Sequence, residues 1–241
     1  AVDYAAYTLL ASSVLVEDGT WVMYFYTWDS TAPSGPSTIG RATAPAPEGP
    51  WTADAAPVLL PGSAGEWDEY TVHAPTVIRT ATGYVMYYTG GQQSSVSRQV
   101  GMATSQDGVT WTKHDDPLTR ESPYTESDPI LGAGAEEAWD AAYVHQPRVV
   151  TAEGRWMMLF RGADLRQVHG YGLATSEDGL RWEKHAANPV LVPADFGGRN
   201  GSWFTALLHH AESYFLFVEV ANGMGTDIFL ATHEGALWQP R

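Results

Sequence analysis

Tyr84-Val85-Met86-Tyr87-Tyr88-Thr89 runs into a loop. Val100-Gly101-Met102-Ala103-Thr104-Ser105 follows, then Gln106-Asp107-Gly108 and a closing Trp111. The chain writes this segment four times. The first half recurs as Val22-Met23-Tyr24-Phe25-Tyr26, Trp156-Met157-Met158-Leu159-Phe160 and Tyr214-Phe215-Leu216-Phe217-Val218. The second half recurs as Ile39-Gly40-Arg41-Ala42-Thr43, Tyr171-Gly172-Leu173-Ala174-Thr175 and Ile228-Phe229-Leu230-Ala231-Thr232, with Trp51, Trp182 and Trp238 closing the copies. A repeat at roughly 60–70 residues outranks any single motif as a guide to architecture.

In the second copy Thr76-Val77-Ile78 reads as a strand and Ala81-Thr82-Gly83 as a turn. Tyr84 to Thr89 is a second strand, Gly90 to Gln99 a loop and Val100 to Ser105 a third strand. An Asp-Gly turn then leads to a fourth strand from Thr110. The third copy matches it through Arg148-Val149-Val150, the turn Ala152-Glu153-Gly154 and the turn Glu177-Asp178-Gly179. Four strands per copy is the blade of a β-propeller. The runs are apolar throughout instead of alternating, so both faces of each sheet are expected to be buried. The fold class is therefore all-β, a β-propeller with four blade repeats evident, forming one domain over residues 1–241. The fourth copy stops just after Trp238, which leaves its outer strand short or absent. The segment Tyr4 to Leu10 is a candidate for an outer edge.

The chain has 28 acidic and 13 basic residues and a net charge of -15. Nucleic acid and anionic membranes are poor partners for such a surface, whereas neutral or cationic ligands suit it. There is no cysteine, so thiolate metal sites and cysteine nucleophiles are excluded, while compartment, cytoplasmic or secreted, stays open. No stretch is long and apolar enough to span a bilayer as a helix. Ten tryptophans and twelve tyrosines supply core packing and flat platforms for sugar rings.

Strand order locates the site. The loop before the first strand and the loop after the second open on one face of a propeller, the Asp-Gly turns on the other. The first set carries the chemistry. Two copies share the pattern Trp67-Asp68-Glu69-Tyr70-Thr71-Val72-His73-Ala74-Pro75 and Trp139-Asp140-Ala141-Ala142-Tyr143-Val144-His145-Gln146-Pro147. After the second strand come Trp28 and Asp29, Gln92 and Gln93, Arg161 with Asp164, Arg166 and His169, and Glu219 with Asn222. Arg161 and Glu219 fall at equivalent positions, which suggests an ion pair or a polar pocket. Asp68 and Asp140 suit either a turn-forming role or catalysis. Duplication of His73 and His145 favours a structural role, and their place at the mouth of the axis favours a ligand or metal role. Trp28 and Trp203 suit packing or sugar stacking.

The chain resembles the five-bladed propeller glycoside hydrolases, the arabinanases, β-xylosidases, invertases and levansucrases of families 43, 32 and 68. The resemblance rests on His73-Ala74-Pro75-Thr76-Val77 and His145-Gln146-Pro147-Arg148-Val149, on the Tyr-Val-Met-Tyr-Tyr-Thr-Gly strand, and on the Gly-Met-Ala-Thr-Ser-Gln-Asp-Gly-Val-Thr-Trp hairpin and its third-copy counterpart. It implies a glycosidase acting on a neutral glycan or oligosaccharide through a carboxylate pair in the axial pocket. Asp68, Asp140 and Glu219 are the candidate catalytic acids. Trp28, Asp29, Glu69, His73, His145, Gln146, Arg161, Asp164 and Trp203 are the candidate substrate contacts. No cofactor is required by this chemistry. Some relatives hold an axial cation such as calcium through a histidine, a role open to His73 or His145. The sequence departs from the family where Ala11, Ala74 and Gln146 stand at positions that usually hold acids. Other carboxylates then do the chemistry, or a blade lies outside this chain, or the protein is a non-catalytic carbohydrate-binding or protein-interaction propeller. A second resemblance is to sialidases, whose Ser-x-Asp-x-Gly-x-x-Trp box is one residue longer than Ser105 to Trp111, with Arg161, Arg166 and Arg199 as candidate carboxylate binders.

Overall fold

The computed structural model describes residues 8–28, 36–93, 97–197, 202–221 and 225–237, and all their side chains except those of residues 8, 28, 202 and 203. Among the described residues the fold is all-β, with one 3-10 turn at Pro193–Phe196 and no helix long and apolar enough to cross a membrane. The chain divides into two compact units, Ala1–Gly132 and Ala133–Arg241.

The first unit holds two blades. β1 (Thr8–Glu17), β2 (Thr20–Trp28), β3 (Ser37–Ala44) and the short β4 (Thr52–Ala53) form an antiparallel meander. β5 (Thr71–Thr80), β6 (Gly83–Gly91), β7 (Arg98–Ser105) and β8 (Thr112–Lys113) form the next. β9 (Pro129–Leu131) adds to β7, and one parallel pair, Ser37 opposite Thr71, ties the blades into a nine-stranded sheet. The second unit holds a four-stranded blade and a three-stranded one. The former comprises β10 (Tyr143–Ala152), β11 (Arg155–Ala163), β12 (His169–Ser176) and β13 (Glu183–Lys184). The latter comprises β14 (Ser202–His210), β15 (Ser213–Ala221) and β16 (Thr226–Glu234). A short outer strand is thus missing from the fourth blade among the described residues, and Trp238 lies outside them. Thr8 to Leu10 belong to the first strand of the first blade instead of filling an outer edge.

The first strands begin earlier than the hydrophobic pattern suggests. β5 starts at Thr71, so His73-Ala74-Pro75 lies inside a strand, not before one. A β-bulge hides it. Three residue steps, His73 to Thr76, span the interval that two steps cover on β6, and Ala74 takes a left-handed φ of 51°. The bulge frees Pro75 from a ladder bond it cannot donate. β10 repeats this between His145 and Arg148, with Gln146 at φ 53°. β1 and β14 are bulged at Ala11/Ser13 and Ser202/Thr205.

Register also corrects the overlay of the first copy. Phe25, Tyr88, Phe160 and Val218 occupy one column, opposite Gly40, Gly101, Gly172 and Phe229 on the third strands. Phe25, not Tyr26, therefore matches Tyr88. The following column is Tyr26, Thr89, Arg161 and Glu219.

Both faces are buried in the first three blades, as the unbroken apolar runs require. Tyr24, Phe25 and Tyr26 on β2, Met86, Tyr87 and Tyr88 on β6 and Met157 to Phe160 on β11 are all in the core. The fourth blade departs from this. Leu216, Val218 and Val220 pack on Leu159 and Tyr171 of the third blade. The alternate residues of β15 point the other way, and there Leu208, Phe217, Ile228 and Leu230 are exposed.

The hairpin turns on the far face are held by side chains. Asp107 accepts the N–H groups of Val109 and Thr110, each at 2.8 Å, and Ser105 Oγ accepts that of Gly108 at 2.9 Å. Asp178 and Ser176 repeat the arrangement with Leu180, Arg181 and Gly179. These backbone donors hold both carboxyls below the usual range, Asp178 at about 2. Only the glycines Gly108 and Gly179 take positive φ there, so these Asp-Gly turns are not type I′, which needs positive φ at both central residues.

Candidate functional site

The duplicated Trp-Asp pair builds a cradle. In the second blade the Trp67 indole lies over the backbone at Gly90 and Gly101. A Cβ on Gly90 would come within 2.4 Å of the ring, and one on Gly101 within 2.8 Å. Trp67 also stacks on Tyr88 at 5.9 Å and donates Nε1–H to Ser127 Oγ at 3.0 Å. The adjacent Asp68 is fully buried. Its Oδ2 meets Lys113 Nζ at 2.6 Å and accepts from Tyr88 OH at 3.1 Å, and its Oδ1 accepts from Gly62 N–H at 3.2 Å.

In the third blade Trp139 covers Gly162 and Gly172 and stacks on Phe160 at 5.7 Å. Asp140 Oδ2 meets Lys184 Nζ at 2.5 Å, and Gly134 packs against its Oδ1. Each Asp thus ties the entry loop of a blade to its outermost strand. A buried carboxylate paired with a lysine across the blade in this way is a structural strut. The signal was legible as a second duplication, Trp111-Thr112-Lys113 and Trp182-Glu183-Lys184.

The other predicted acids separate in the same way. Glu69 accepts the Gly65 N–H within its own loop. Asp164 closes the turn after β11 by accepting from the N–H groups of Arg166 and Val168, each at 2.9 Å, and pairs with the Arg166 guanidinium at 2.8 Å. Those donors hold its carboxyl below the ordinary value, the Val168 amide most. Asp29, Asn222 and Arg199 lie outside the described residues. Glu219 differs from all of these. It is half-buried, and among the described residues no hydrogen bond or ion pair engages its carboxylate. It does not pair with Arg161, because strand alternation puts the two on different interfaces. Arg161 shares the side of Leu159 that faces the fourth blade. Glu219 shares the side of Phe217 that faces away from the third.

The histidines keep matching places and different company. His73 stands opposite Thr89, and His145 opposite Arg161. In the first unit His73 Nδ1 is 3.1 Å from Thr71 Oγ1, and its ring lies 5.6 Å from that of Tyr26. In the second, Tyr143 sits edge-on to His145 at 4.9 Å, and Arg161 Nη1 approaches His145 Nε2 at 3.5 Å. The Tyr143 hydroxyl is 2.9 Å from His169 Nδ1. Burial lowers Arg161 from its ordinary value, with Tyr143 and Tyr171 acting the other way. Burial, then Arg161, pushes His169 down, with Asp164 opposing. Gln146, at the bulge, is buried.

Strand register puts Trp203 in the fourth blade where His73 and His145 stand in the second and third, and puts Trp28 opposite Ser37. Among the described residues no group of three or more His, Asp and Glu is placed to hold a metal. A guanidinium against His145 Nε2 is a further misfit for a cation there.

A search of solved structures matches this arrangement along nearly the whole chain. The fold is that of the propeller glycoside hydrolases. A family 117 glycoside hydrolase of the marine bacterium Zobellia galactanivorans superposes with a TM-score of 0.70 at 16% identity, over 95% of this chain and 71% of that one. A second glycoside hydrolase gives 0.71 at 16% identity, over 97% and 72%. A family 32 β-fructofuranosidase of Bombyx mori gives 0.58 at 14%, over 87% and 42%. No protein-family model and no curated protein sequence matches the chain.

Proposed function

We propose that the protein is a glycoside hydrolase acting on a neutral glycan, with Glu219 as one member of its carboxylate pair. One observation carries the assignment. At the column after the glycine contacts, Tyr26, Thr89, Arg161 and Glu219 hold the same blade position, and only there does a predicted acid remain unengaged among the described residues. A carboxylate reserved for proton transfer or nucleophilic attack must be able to change its charge without breaking a structural ion pair. Asp68 and Asp140 do not meet that condition and leave the catalytic set. Within the second unit, His145, Gln146 and Arg161 suit hydrogen bonding to sugar hydroxyls. Trp28 and Trp203 suit stacking on a ring. The fold likeness to glycoside hydrolases supports this reading, as does the net charge of -15, which disfavours polyanionic ligands.

The test is hydrolysis of a panel of aryl glycosides and neutral oligosaccharides by the purified protein and its Glu219→Gln variant. Turnover of at least one substrate, lost in the variant while the melting temperature holds, is the expected outcome. Turnover that survives Glu219→Gln removes the assignment. Saturable oligosaccharide binding with no turnover replaces the enzyme by a binding propeller.

A further inference from the structure

The fourth blade keeps its bulge without the residue that fixes the bulge in the second and third. Tyr87, Leu159 and Phe217 share a column, one residue before Tyr88, Phe160 and Val218. Opposite them stand Thr76, Arg148 and Ala206. The residue before each of these is Pro75, Pro147 and Thr205. Proline enforces a bulge, because it cannot donate the ladder bond that regular pairing needs. Thr205 has an N–H to donate, so its own backbone does not exclude regular pairing. β14 is bulged all the same. Three residue steps from Ser202 to Thr205 face two on β15, from Val220 to Val218, and Glu219 lies inside that interval.

The third blade supplies the missing restraint. Arg148 is buried, at 6% exposed, and its Nε donates to the Thr205 carbonyl oxygen at 2.5 Å. Its Nη1 donates to the Pro147 carbonyl oxygen at 3.0 Å. Both blades lie in the second unit. The first unit has a lighter version of this tie. Ser13 faces Tyr24 as Arg148 faces Leu159, and its Oγ accepts the Val77 N–H of β5 at 3.0 Å. A hydroxyl is enough there because β5 carries its own Pro75. Burying a guanidinium costs desolvation, and the blade that lacks the proline is the one that receives it.

We infer that Arg148 is a positioning residue that holds β14 in its bulged register and thereby sets the backbone of Trp203 against that of Glu219. A one-residue slip of β14 would remove the bulge and turn the side chains before it to the opposite face. The link to Glu219 rests on the function proposed above; the hold on the bulge does not.

The experiment is hydrogen exchange of the full chain, read on β14 and, as a control, on the proline-fixed bulge of β5. Arg148→Met removes the donor at similar side-chain length. Exchange over residues 203–206 should quicken at least about tenfold, with β5 unchanged. Adding Thr205→Pro should return the remaining amides of β14 to wild-type rates. If Arg148→Met does not fold, Arg148→Lys keeps the charge, loses the planar fork and should show the same quickening to a smaller degree. Unchanged β14 exchange in the variant that folds, or a quickening that Thr205→Pro does not reverse, overturns the inference. With a substrate from the panel, Arg148→Met should lower kcat about tenfold with KM changed by less than about twofold, and Thr205→Pro should restore kcat. If exchange behaves as expected and kcat holds, the restraint on the bulge stands and the link to Glu219 falls. Inactivity of the wild-type protein would strike the proposed function and leave the exchange result intact.

Discussion

The second and third blades carry the same cradle, a tryptophan over two glycines beside an aspartate paired with a lysine. The fourth blade carries Glu219 at a position where no two blades agree. The contrast separates two kinds of residue that look alike in a sequence. Asp68 and Asp140 repeat because each blade needs the same tie between its entry loop and its last strand. Tyr26, Thr89, Arg161 and Glu219 differ because the backbone of the blade asks nothing particular of that column. In this chain repetition marks architecture, and divergence marks the candidate chemistry.

The sharpest way to break the comparison is to remove the strut. Asp68→Asn leaves the half-buried Lys113 without its counter-charge and removes the fully buried carboxylate from its partners, which should cost about 3 kcal/mol of stability. Glu219→Gln should change stability by less than about 0.5 kcal/mol. Denaturant melts of the two variants measure both. Equal losses would erase the distinction between them. Next comes Gly90→Ala, which pushes a methyl to within 2.4 Å of the Trp67 ring. Overpacking there should cost about 1–3 kcal/mol, and Gly162→Ala under Trp139 should behave alike. A large effect in one blade only would show that the two cradles are not equivalent.

The smallest expected effect is a pH dependence. Burial first, and Arg161 second, hold His169 below its ordinary 6.5. The unfolded chain therefore binds that proton at a higher pH than the folded one. The stability is present above the ordinary value and is lost as pH falls through it toward the folded value. Wild-type melting temperature should drop between about pH 7 and about pH 5, and His169→Gln should lessen the drop.

Much of the fold was legible because the blade core is written as five-residue apolar runs, and two-sided burial leaves a pattern that no solvated sheet has. Its first strands were not, because a bulge at Ala74 and Gln146 breaks the period and Pro75 and Pro147 read as loop. The overlay of the first copy slipped by one residue because Tyr24-Phe25-Tyr26 is aromatic in every register. Two-sided burial failed in the fourth blade, where Phe217 and Leu230 read as core and stand exposed. The site was harder to read. Carboxylates were visible, but their lysine partners stand about 45 residues downstream on short outer strands. The contacts of Thr71 with Ser37 and His73 depend on a parallel pairing of Ser37 with Thr71 that no local pattern announces.

The central claim is that the repeated acids are struts and the unrepeated one does chemistry. The most direct measurement is the hydrolysis rate per folded molecule of Asp140→Asn and Glu219→Gln, side by side, at a temperature where both remain folded. The account predicts a rate near wild type for Asp140→Asn and a fall of about 10²–10⁴-fold for Glu219→Gln. The reverse, with Asp140→Asn folded and inactive and Glu219→Gln active, would contradict it.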